Sequence, residues 1–255
     1  MNRIFFMYNN LVDSATLTES SEASGFPAEN VQHLFRTKVW RTSGGGTENL
    51  VIDHGSAKAV NCVALTNYNW TSAPTTLNLE FSTDNTWTPP DGGSESLTWA
   101  AATTANYNKA TIVKTFTSKT YRYNRLNVVH GSDFDLGRMF LGEHFTPSLP
   151  FASKITQNMI DPSRTLSTIG GQDHTDEIEM YRVVNFSTVA RTQAQWELFQ
   201  KMINDMGWHK DLFIAFDYDN EPDEMTIYGK FTKLPGMKLP VVKVFEMKFS
   251  FKESR

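Results

Sequence analysis

Along the first 145 positions the apolar residues fall in short runs that alternate with polar ones. ATLTESS (15–21), NLVIDHG (49–55), AVNCVALTN (59–67), TLNLEFST (76–83), ATIVKTFT (110–117), YNRLNVVHG (123–131) and GRMFLGEHF (137–145) have the alternation or β-branched character of strands. SGGGT (43–47), HGSAK (54–58) and TDNTWTPPDGGSES (83–96) punctuate them as turns. Short strands at regular spacing with Gly, Pro and Asp between them predict a β-sandwich. WAAATTANYNKA (99–110) has room for one helical turn.

FTPSLP (145–150) carries two prolines within four residues and reads as a linker, giving domains 1–145 and 146–255. Beyond it, KITQNMI and the segment after DPSR read as strands joined by a proline turn, followed by TIGGQDHTD and a strand in EIEMYRVVNFS (177–187). One helix is predicted over about 192–206. Thr192 and Gln195 have capping-box spacing, and Trp196, Phe199, Ile203 and Met206 form an apolar stripe. Gly207 supplies the stop, with Trp208 placed to fold back on the helix. LFIAFDY (212–218) and MTIYGKF (225–231) read as a hairpin. In VFEMKFSFK, Phe245, Met247, Phe249 and Phe251 share one face, and Glu246, Lys248, Ser250 and Lys252 share the other. The second domain is therefore α+β, with one helix laid across a sheet.

Composition narrows the function classes. Of 255 residues 40% are apolar, and 24 basic against 28 acidic residues leave a net charge of -4 with no basic run. The electrostatic footprint of a nucleic-acid reader is missing. No apolar stretch approaches the length of a membrane-spanning helix, and the amino-terminal apolar run is too short for a signal-peptide core. The lone cysteine, Cys62, lies in an apolar run and reads as a small core residue. These features predict synthesis and first folding in a reducing cytoplasm.

Candidate chemistry is sparse. Histidines 33, 54, 130, 144, 174 and 209 show no metal-ligand spacing, and nucleophile-elbow and phosphate-loop patterns are absent. DYDNEPDE (217–224) begins like a calcium loop, but Pro222 occupies the position of the sharp-turn glycine and Tyr228 that of the bidentate glutamate. It reads as a solvated hairpin tip. No catalytic residue, metal or cofactor is assigned. Tyr68, Asn69 and Trp70, together with Trp87 in a polar turn, are candidates for stacking on a sugar or contacting a partner. The competing reading is that these rings close the end of the sandwich or meet a neighbouring subunit.

FPAENVQHLFRTKVWRT followed by LVIDHGSAKAVNCVALTNYNW resembles the galactose-binding-like, or discoidin-type, jelly-roll sandwich. Asn30, Trp40, Arg41, Ile52, Asp53 and Gly55 occupy the positions of its pattern. The resemblance implies that Trp40 fills the core and that Asp53 and Gly55 make a tight hairpin turn. A structural calcium common in that family is not expected, because no carboxylate lies between Asn30 and Trp40. LGRMFLGEHF resembles the closing strand of the version found in bacteriophage tail proteins. The second domain resembles the tail-tube-like fold of distal tail and baseplate hub proteins, with DPSRTLSTIGGQ and LFIAFDYD as its phrases and Trp196 and Phe199 as anchors. That resemblance implies a non-enzymatic structural protein of the virion tail, made in the host bacterial cytoplasm. Its partners would be copies of itself in a ring of three or six and adjacent tail proteins. The alternative is a lectin-like module that holds a cell-surface glycan.

Overall fold

The computed structural model describes residues 4–35, 37–99, 111–147, 153–219, 224–234, 236–241 and 244–254. The stretch 100–110, where a helical turn is predicted, and much of the 145–150 linker lie outside them. The chain is mainly β and divides into two compact units. The first comprises Met1–Thr146 and Phe213–Ile227, and the second Pro147–Leu212 and Tyr228–Arg255.

The first unit holds β1 (Phe5–Met7), β2 (Thr16–Glu19), β3 (Trp40–Arg41), β4 (Gly46–Tyr68), β5 (Thr76–Ser82), β6 (Ser94–Ser96), β7 (Thr111–His130) and β8 (Asp135–Gly142). Strands β4 and β7 pair antiparallel from Gly46↔His130 to Thr66↔Thr111. One half of this pair is flanked by β2 and by β5 with β6; the other half is flanked by β8 with β3. Alternation sends Leu50, Ile52, Leu79, Phe81, Leu126 and Val128 inward from the first half. They share one buried cluster with Val63, Leu65, Met139 and Leu141 from the second. The result is a β-sandwich whose two sheets are joined through bent strands.

The bend is at the sequence read above as a turn. Pairing passes from Asp53↔Tyr123 to Lys58↔Tyr121, so residues 54–57 stand against the single residue Arg122. This is a bulge, not a hairpin, and the four runs predicted as separate strands are two long ones. Asp53 accepts the Gly55 amide at 2.7 Å, and Gly55 takes φ 71°. Arg122 then clamps both Asp53 oxygens at 2.8 Å from the opposite strand. Turn chemistry is local and reports the kink; only the partner strand decides whether the ladder resumes.

Trp40 is fully buried, packs edge-on against Phe134 and donates its indole N–H to the Ser21 carbonyl at 3.0 Å. Asn30 donates to the Val39 carbonyl at 2.8 Å, holding the irregular crossing segment before β3. Arg41 lies over the Phe26 ring and forms a bidentate pair with Asp135. A single cut after residue 145 does not describe the first unit, because Phe213, Ile214 and Ala215 pair with Met7, Phe6 and Phe5. All six are buried. Two short apolar runs this far apart carry no sequence mark of their pairing.

The second unit holds β9 (Ser153–Ile160), β10 (Arg164–Ser167), β11 (Asp173–Asp176), β12 (Tyr181–Ala190) and α1 (Gln193–Met206). It also holds β15 (Gly236–Val241) and β16 (Val244–Glu253), while the divisions of the chain fall within β13 (Leu212–Ala215) and β14 (Thr226–Phe231). In its sheet β16 pairs with β12, β14 and β15, and β9 pairs with the other side of β12. The alternation of β16 buries Met247, Phe249 and Phe251. Helix α1 packs on that face, with Trp196 stacked on Phe245 at 4.8 Å and Phe199 beside Phe249. Its buried stripe is Trp196, Phe199, Met202 and Met206, with Met202 replacing the predicted Ile203. Thr192 caps the Gln195 amide, and the Gln195 side chain reaches back to accept from the Arg191 amide. Trp208 does not fold back; it is exposed. Beneath the sheet's end, Arg182 and Glu253 form a buried ion pair through the Arg182 backbone and guanidinium.

Candidate functional site

The ring candidates separate into two places. Tyr68, at the end of β4, stacks on Trp70 at 4.8 Å, and Trp70 lies edge-on to Phe134 at 5.4 Å. Trp70 is only 3% exposed and belongs to the core cluster. Asn69 spends its carbonyl on the Asp135 amide at 2.8 Å. These three close the end of the sandwich, and Trp70 presents no ring to a ligand, which corrects its reading as a sugar-stacking residue.

Trp87 sits elsewhere, in the loop after β5, and shares no contact with Tyr68, Asn69 or Trp70 among the described residues. It is half-buried, its indole N–H donates to Asn85 at 2.9 Å, and the Arg125 guanidinium lies 4.6 Å from its ring centre. Below it the outer sheet face is a polar row set by strand register. Arg125 stands opposite Glu80 and bonds it at 2.6 Å, and Asn127 stands between Asn49 and Asn78 and donates to Glu80 at 3.3 Å. A ring edge, a guanidinium and an amide row can stack and hydrogen-bond. They offer no nucleophile. Trp87 stands out in the sequence but the row beneath it does not, because β5–β7 register is a long-range fact.

Other reactive groups serve the fold. Cys62 is buried, and burial pushes its thiol far up from its ordinary value. Burial likewise lowers the pKa of His54 below 6.5, although its Nε2 lies 2.8 Å from Asn124 Oδ1. The Arg122 guanidinium holds Asp53 below its ordinary 3.8. Among the described residues no group of histidine, cysteine and carboxylates is placed to hold a metal ion.

The second unit carries a different kind of site. Among the described residues strands β10 and β11 pair only with each other, and every residue of both is exposed. The base of this arm is closed by Ser163, whose hydroxyl bridges the Ile178 backbone. Leu166 and Ile169 stand in solvent on the arm, while Met159, Ile160 and Met180 are exposed at its root. Strand β9, eight residues long, pairs only with β12 among the described residues and offers its other edge. An arm carrying two exposed apolar side chains beside an open strand edge can add to another chain by strand pairing and side-chain burial.

No protein-family model and no curated protein matches the chain. Among solved structures it is similar to chitosan-binding module 1 of a chitosanase/glucanase from Paenibacillus sp. IK-5, at 23% identity and TM-score 0.40 over 53% of this chain and 99% of the module. It is similar to a Streptococcus pneumoniae fucose-binding module at 15% identity and TM-score 0.41, covering 52% of this chain and 94% of the module. A third is the family 32 carbohydrate-binding module of C. perfringens NanJ in complex with galactose, at 13% identity and TM-score 0.41 over 56% and 99%.

Proposed function

We propose that this chain is a non-enzymatic structural subunit that assembles with copies of itself through its second unit. In the finer form carried by the sequence resemblance, it is a distal tail or tail-tip ring protein of a bacteriophage. The observation that carries the assembly reading is the solvated hairpin of β10 and β11 with Leu166 and Ile169 on it, next to the open edge of β9. A hairpin with no core of its own is marginal in water. Exposed Leu and Ile on it are a liability unless another chain covers them. A ring forms from such a contact when it is heterologous and closes.

Light scattering and negative-stain microscopy of the purified chain test this. Discrete rings or closed oligomers are expected, and replacing residues 164–176 by a short Gly-Ser linker is expected to leave folded monomers. A wild-type protein that stays monomeric at about 100 µM, a concentration where micromolar interfaces are filled, overturns the reading.

A second reading is that the first unit also holds a glycan, and the partly exposed Trp87 ring above the Arg125, Glu80 and Asn127 row favours it. The modules named above bind chitosan, fucose and galactose, but for this chain the reading rests on Trp87. Saturable binding on a glycan array, lost in Trp87→Ala and kept in a variant at exposed Asn69, supports it; no binding to any printed glycan removes it.

A further inference from the structure

The outer face of the second unit's sheet is basic. On β16 the exposed alternation places Lys248, Ser250 and Lys252 in one row, about 7 Å apart by strand geometry. Lys230 stands opposite Lys252 on β14, and Ser187 stands opposite Lys248 on β12. Lys233 and Lys248 rim a shallow groove of about 340 Å³ whose remaining polar walls are Thr156, Asn185, Ser187 and Ser250. Among the described residues none of the four lysines has a carboxylate in ion-pair distance; Lys252 instead lies over the Tyr181 ring at 4.3 Å. Glu246 is the carboxylate that shares this face on β16.

The exposed arm has the opposite sign. Residues 164–179 contain Arg164 against Asp173, Asp176, Glu177 and Glu179, a net charge of 1 − 4 = −3 with His174 neutral. Asp173 is bonded by the Ser167 hydroxyl, and Arg164 faces Asp176 in register without forming an ion pair with it. Asp176 and Glu177 are exposed and have no cation partner among the described residues. An acidic, partly apolar arm and a basic groove therefore lie on one unit, and Asp176 and Glu177 of the arm and Lys233 and Lys248 of the groove have no oppositely charged partner among the described residues.

We propose that the lysine-rimmed groove receives the acidic arm of a second copy of this chain. The inference rests on the assembly reading above and names its contact: Asp176 and Glu177 of one copy against Lys233 and Lys248 of the next. Arm and groove are different surfaces, so each copy passing its arm to the next in one direction makes a heterologous contact, the kind that propagates round a ring. Charged pairs at such a rim set direction and register and speed encounter, while the exposed apolar residues of the arm supply burial.

Charge reversal tests it. K233E/K248E and D176K/E177K are each expected to weaken self-association about tenfold or more, as opposed charges at an interface do when one is inverted. The quadruple variant, with both reversals, is expected to restore association. Wild-type association should weaken with added salt, and at dilutions where none of them associates all four proteins should share one thermal midpoint, since the substituted side chains are exposed. Wild-type oligomers indifferent to K233E/K248E, or a quadruple variant no better than either double, would overturn this contact while leaving self-assembly standing. A wild type that never associates removes both.

Discussion

Single side chains divide into those whose role is visible in their neighbours and those fixed by distant ones. Trp40 was legible because its crossing segment, with Asn30 and Pro27, has a recognisable pattern, and its burial follows from that pattern. Trp70 and Trp87 look alike in sequence, each in a polar stretch after a strand. Phe134, more than sixty residues from Trp70, seals it into the core, whereas Trp87 donates to Asn85 and lies beside the Arg125 guanidinium, half-exposed. Trp40→Ala is expected to lower stability by about 3–5 kcal/mol, measured by urea unfolding, since a large buried ring and a satisfied indole bond are both lost. His54 gives a pH signature. Its folded pKa lies below the ordinary 6.5 because it is partly buried, so its neutral form is the one the fold favours. Stability is full above pH 6.5 and declines as pH falls from there toward the folded value, because the unfolded chain takes up the proton first. His54→Gln should flatten that part of the stability profile. Asp53, held low by Arg122, acts in a separate window: its contribution is present above 3.8 and is lost as pH falls further.

At the level of elements, strand positions, the helix and the alternation of β16 were legible, because period-two and period-3.6 patterns are written in adjacent residues. Continuity was not. HGSAK has every mark of a turn, yet the chain resumes pairing with the same partner, and Arg122 on β7 is what stitches the two halves. Gly55, at φ 71° with open space where a side chain would go, should tolerate Gly55→Ala sterically. The substitution still costs about 1 kcal/mol through backbone strain, read as a shift in the urea midpoint. In the second unit Arg182 on β12 and Glu253 on β16 are both buried, so removing one charge strands the other. Glu253→Gln is expected to destabilise by about 3–5 kcal/mol in calorimetry or urea unfolding.

For the molecule as a whole, two β-rich units and the absence of an obvious catalytic motif could be read from the letters, but the return of 213–227 to the first unit could not. Nor could the bareness of the β10 and β11 arm, since TIGGQDHTD reads as an ordinary flexible turn until it is seen that among the described residues no further strand pairs with it. One buried atom offers a clock for such an assembly. Cys62 is the sole sulfhydryl of the chain and is wholly enclosed in the first unit. A maleimide probe should therefore attach once per molecule, and only during an opening of that unit, so its rate of uptake times those openings. Labelling of free and assembled protein in parallel would then reveal whether joining other copies slows the breathing of a region remote in sequence from the arm.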